Sequence, residues 1–156
     1  MKIKKILFFL LVFGCIGYFR EFFFVNLNNI MFQKYYNHTD LPIPDIMKPF
    51  NSFSYKTLYY SKYIFSFLWI VLFFVSNYLA IKYLSDEKKL LKFLTYSYIL
   101  LLTLAAIAMI YGYFVMGRLQ DDEYTVSRWL LGIAQSPIIC LILIASEKLY
   151  PKSNKS

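Results

Sequence analysis

The sequence predicts an all-α, polytopic membrane protein: four transmembrane helices, with a long extracytoplasmic loop between the first and second. Three observations predict it. Hydrophobic residues make up 59% of the 156 residues and charged residues 17%, against about 45–50% and about 25% in soluble domains. The apolar residues come in long blocks and not in alternation, giving a mean hydropathy of +0.49, as spanning helices require. The lysines fall in short flanks between those blocks, where membrane orientation signals lie. A net charge of +8 distributed in this way points to a bilayer partner and not to nucleic acid. The length suits one bundle, residues 1–149, followed by a cytoplasmic tail, 150–156.

The first helix is expected over about 6–25. It follows the basic start "MKIKK", and bulky Tyr18, Phe19 and Arg20 stand where a signal peptide would need an A-x-A-like cleavage site, so the helix is expected to be retained. Ile6 to Phe19 covers about 21 Å of helix, and a bilayer core needs about 30 Å. The helix must therefore run through Arg20 and Glu21 to about Val25, which leaves Arg20 roughly 9 Å inside the outer hydrocarbon boundary.

An outer cap is expected over 26–59. Across "FFVNLNNIMFQKYY", Phe23, Leu27, Ile30, Met31 and Lys34 share a helical stripe, predicting an amphipathic continuation of the first helix at the interface. The following "NHTDLPIPDIMKPFNSF" holds Pro42, Pro44 and Pro49 and is expected to pack as an extended segment, because proline interrupts regular helix. The second helix is expected over 60–83 and the third over 91–115, joined by the short basic "LSDEKKLLK" as an antiparallel hairpin. "GRLQDDE" leads as tightly into a fourth helix over 124–145.

Orientation follows from the loops. One side carries Lys2, Lys4, Lys5, Lys82, Lys88, Lys89, Lys92, Lys148, Lys152 and Lys155 against Asp86, Glu87 and Glu147. The other carries Arg20, Lys34, Lys48, Lys56, Lys62, Arg118 and Arg128 against six acids. The positive-inside rule puts both termini in the cytoplasm.

Arg20 and Glu21 are the first candidate site. Adjacent helix positions point about 100° apart, so the two need not pair with each other. Arg128, at the outer start of helix four, lies at similar depth and offers Glu21 a partner. This trio reads either as an interhelical clamp or as a docking point for a partner or an anion. The second candidate is "SRWLLGIAQSPIIC". There Gly132, Ala134 and Ser136 allow close helix packing, Gln135 should face the bundle interior, and Pro137 should kink the helix.

Ser76, Asn77, Ser97 and Thr103 are expected to form interhelical hydrogen bonds. Asp121, Asp122 and Glu123 read as helix capping, not as a cation site, since consecutive carboxylates cannot converge on one ion. His38, beside Asp40, has no metal-ligand spacing around it. Cys15 and Cys140 are expected to be buried free thiols. No catalytic set, metal site or cofactor motif is found, so an enzyme acting alone is not expected.

In "REFF" after helix one and "YTVSRWLLGIAQSP" entering helix four, the chain resembles the exosortase F system-associated small membrane proteins. The layout is similar throughout: an Arg-aromatic-acidic patch closing the first helix, a proline-bearing outer loop, and a last helix opening with Arg and carrying Gln and Pro. Here Arg20 and Glu21 precede the phenylalanines, and Ser136 separates Gln135 from Pro137. The resemblance implies a bacterial inner-membrane companion to a membrane-embedded sorting protease, not the protease itself. The expected function is a non-catalytic accessory subunit with a membrane-protein partner. The alternative is a small homo-oligomeric transporter or channel around Gln135, Pro137 and Glu21.

Overall fold

The computed structural model describes residues 2–37, 41–85, 87–116 and 125–149. These form five α-helices and one 3-10 helix: α1 (Lys2–Tyr36), the 3-10 helix (Asp45–Ser52), α2 (Tyr55–Leu84), α3 (Lys88–Met116), α4 (Thr125–Ala134) and α5 (Ile138–Leu149). Three helices are long and apolar enough to cross a membrane, or four if the bent pair α4–α5 is one span. The expected all-α membrane class holds in that form. The His38–Asp40 and Asp121–Glu123 readings, Arg118 and the 150–156 tail lie outside the described residues.

The chain divides into two compact units, one of Gly14–Trp69 and one of Met1–Phe13 with Ile70–Ser156. In the first, α1 does run on past Val25, and the predicted stripe is what it buries. Leu27 and Ile30 are fully buried and Met31 nearly so, packed with Met47 of the 3-10 helix and Leu58 of α2. The ring of Phe23 meets those of Phe50 and Phe65 edge-on, with centroids 5.6 and 4.7 Å away. The helix stops where Asn37 takes a left-handed backbone, φ 53°, a position asparagine tolerates better than most residues.

Two expectations about this unit need correction. Asp45–Ser52 is a 3-10 helix, not an extended segment. Proline's fixed φ of about −65° lies inside the 3-10 range, so Pro49 costs one donor and no strain. Two anchors hold the segment: Lys34 Nζ donates to the Asn51 carbonyl at 2.7 Å, and Gln33 Nε2 donates to the Leu41 carbonyl at 2.6 Å. Second, α2 begins at Tyr55 and not at about 60. Ser54 caps it: its hydroxyl accepts the Thr57 N–H at 3.3 Å and pairs with the Thr57 hydroxyl at 2.9 Å.

In the other unit, α3 packs along α4 and, less extensively, α5. Buried Ile70, Phe73, Asn77, Ala80 and Ile81 form one face of α2 at helical spacing. Only 17% of the most apolar window of α3 is buried. Its outward residues include Ile99, Leu100, Ile107 and Ile110, as a lipid-facing helix requires. The expected fourth helix is broken, with α4 and α5 meeting at a 60° bend.

Candidate functional site

The Gly14–Trp69 unit holds Arg20 and Glu21 in the middle of α1. The Arg20 guanidinium is half-buried and lies 5.7 Å from the centroid of the Phe24 ring, one turn on, a cation–π arrangement. Its Nη1 stands 3.6 Å from Glu21 Oε2. The two charges therefore do approach each other, although their angular separation does not require it. Arginine's long stem bridges the 100° offset. The separation exceeds hydrogen-bond length, so this is an ion pair only. The Glu21 side chain keeps 69% of its surface exposed. Arg128 belongs to the other unit, on the exposed face of α4 beside Trp129.

The α4–α5 break, in the second unit, is the second site. Pro137 has no N–H, so the Ile133 carbonyl loses its usual donor four residues on. The Ser136 hydroxyl takes that place, donating to the Ile133 carbonyl at 2.7 Å and accepting from the Ile138 N–H at 3.4 Å. Gln135 closes α4, its N–H donating to the Leu131 carbonyl at 2.9 Å, and the residue is buried as expected. The Pro137 carbonyl opens α5 by accepting from the Leu141 N–H at 3.0 Å. The serine between Gln135 and Pro137 thus supplies the hydrogen bond that proline withholds.

Asn77 of α2 completes this node. Its side-chain nitrogen donates to the Ser136 carbonyl at 3.1 Å and to the Tyr98 hydroxyl of α3 at 2.7 Å. One fully buried amide therefore ties α2, α3 and the break together. Asn77 Oδ1 is itself buried with no hydrogen-bond partner among the described residues, an unmet acceptor at the centre of the unit.

Of the other polar residues named from sequence, Asn77 makes the expected interhelical bonds. Ser76 and Thr103 do not: each donates to the carbonyl four residues back on its own helix, Leu72 and Ile99. Gly132 is not a close-approach point either, since an added Cβ there would meet nothing within 4 Å; buried Ala134 is the small residue that packs. Cys140 is buried as expected, but Cys15 is exposed, because it lies off the Phe9–Phe13 face of α1 that is covered. Tyr98 and Ser54 escaped the sequence reading. A serine three residues before Thr57 is a capping signal that could have found the second.

No group of three or more His, Cys, Asp or Glu side chains that could hold a metal occurs among the described residues. Fold and sites together define a membrane-embedded helical protein with a polar node at a broken helix and a charged pair on its first helix. Compared with known proteins, the chain matches no family, no curated protein and no solved structure.

Proposed function

We propose that the protein is a non-catalytic accessory subunit of a larger inner-membrane assembly, a companion to a membrane-embedded sorting protease. In this reading α4–α5 crosses the bilayer as one bent span, giving four spans with both termini in the cytoplasm. The lysine asymmetry of the loops supports that orientation.

The observation that carries the proposal is Glu21. A carboxylate 69% exposed on an apolar helix, with a 3.6 Å contact to Arg20 as its ion pair among the described residues, is costly against lipid. A cationic side chain on a partner helix would remove that cost, and the apolar surfaces flanking it would seal the contact. Gentle-detergent pull-down of the tagged protein tests the reading, comparing wild type with Glu21→Gln and Arg20→Ala. A defined membrane partner retained by wild type and lost by Glu21→Gln, with normal accumulation of the variant, is the expected result. Identical partners in all three, or none in any, would remove the basis of the proposal.

A second reading, a small homo-oligomeric transporter or channel, draws on the unmet Asn77 Oδ1 beside a broken helix, since interrupted helices often border solute sites. Flux through liposomes carrying the pure protein, abolished by Asn77→Ala, would favour it over the accessory role.

A further inference from the structure

The end of the membrane unit at which α2 turns into α3 carries a groove of about 340 Å³ lined by Tyr78, Leu91, Lys92, Thr95 and Tyr96. That is the lower end of the ligand-pocket range. Thr95 and Tyr96 each stand about one turn from Lys92 on α3, and Tyr78 lines the groove from α2. Measured along the helices, the lining residues lie roughly 4–12 Å in from the hairpin, across the headgroup region and the edge of the hydrocarbon.

The polar groups of this groove are donors without employment. Lys92 Nζ and the hydroxyls of Tyr78 and Tyr96 make no hydrogen bond or ion pair among the described residues. The Thr95 hydroxyl is already committed, donating to the Leu91 carbonyl at 3.0 Å. One cation and two hydroxyl donors around a shallow groove are complementary to a group that is anionic and acceptor-only. Lys82, Lys88 and Lys89 surround the same end and add positive potential.

Deeper in, two apolar stripes continue from the groove. Val75 and Val71 lie below Tyr78 at helical spacing on α2, and Ile99 and Leu100 lie below Tyr96 on α3, all exposed. An anionic head above and an apolar face below match a phospholipid and not a free anion. We propose that this groove is a binding site for an acidic phospholipid, its phosphate held by Lys92, Tyr78 and Tyr96 and its acyl chains lying along the Val75 and Ile99 stripes.

Native mass spectrometry of the full chain in mild detergent, titrated with phosphatidylglycerol or phosphatidylcholine, tests this. Wild type should prefer phosphatidylglycerol. Lys92→Ala should weaken phosphatidylglycerol binding about fivefold, the usual contribution of one lysine near a membrane surface, and leave phosphatidylcholine unchanged. Lys92→Arg should stay near wild type. Tyr96→Phe, at a side chain too exposed to affect folding, should lose affinity several-fold through its hydroxyl alone. Lys56→Ala, on α2 away from the groove, should change nothing. Equal affinity for the two lipids would overturn the proposal, and so would a loss in Lys56→Ala matching that in Lys92→Ala. Displacement of phosphatidylglycerol by millimolar inorganic phosphate would overturn it in favour of a free-anion site.

Discussion

Asn77 offers the sharpest test of how the membrane unit is held. The perturbation is a double-mutant cycle of Asn77→Ala and Tyr98→Phe. Asn77 makes two interhelical hydrogen bonds, to the Tyr98 hydroxyl and the Ser136 carbonyl. Such bonds average about 0.6 kcal/mol in membrane proteins, with a maximum of about 1.7. Two of them, plus the void left by a side chain that is fully buried, give a loss of roughly 2 kcal/mol for Asn77→Ala. Tyr98→Phe removes one bond and little volume and should cost about 0.6 kcal/mol. The coupling between the two should be about the same size, since the alanine variant has already lost that bond. Asn77→Leu should be milder than Asn77→Ala. It refills the space that alanine leaves empty, while both variants equally remove the buried, unpaired Oδ1.

The assay is reversible unfolding in mixed micelles, titrating SDS and following helicity. Zero coupling, together with Asn77→Ala within about 0.5 kcal/mol of wild type, would refute the assignment of Asn77 as the tie between α2, α3 and the break.

Three further outcomes are expected. Pro137→Ala restores a donor for the Ile133 carbonyl and frees Ser136 from the restriction proline imposes; spin labels at Val126 and Leu149 should then move roughly 5 Å apart as the 60° bend opens, read by pulsed electron resonance. Lys34→Ala removes the bond to the Asn51 carbonyl, and amide exchange in 45–52 should speed roughly tenfold, for a charged hydrogen bond of about 1.5 kcal/mol. In native micelles a small apolar maleimide that partitions into detergent should label lipid-facing Cys15 faster than buried Cys140, a difference that SDS unfolding removes, scored by intact-mass analysis.

The parts of this fold legible in the sequence are those written as periodicity. The Leu27, Ile30 and Met31 stripe was readable because burial on one side of a helix repeats every three to four residues. The membrane class was readable because twenty apolar residues have few other uses. The misread parts turned on single hydrogen bonds. Ser54 starts α2 five residues early through one hydroxyl. Proline stood as a breaker in the 3-10 helix, where its φ is in fact at home. At the bend, Pro137 was legible as a kink, yet the partner that makes a 60° break affordable, the Ser136 hydroxyl, has no periodic signature. Arg20 and Glu21 were visible as anomalies in an apolar run, but the approach of the Arg20 guanidinium to Glu21 and Phe24 depends on the reach of a long stem that spacing does not specify.

The division of the last segment into two half-helices bears on how the protein is made. At ten and twelve residues, neither α4 nor α5 reaches the ~20 that an insertion machinery reads as a span. As the single bent span proposed above, the pair would enter lipid carrying an interrupted backbone, whose carbonyls need donors at the moment of entry. Those donors are partly on α2, through Asn77. In that reading, insertion of α4–α5 depends on α2 and α3 already standing in the bilayer. Without α4–α5, Asn77 loses the Ser136 carbonyl and α3 loses the helices packed along it, leaving a polar, uncovered seat on that unit.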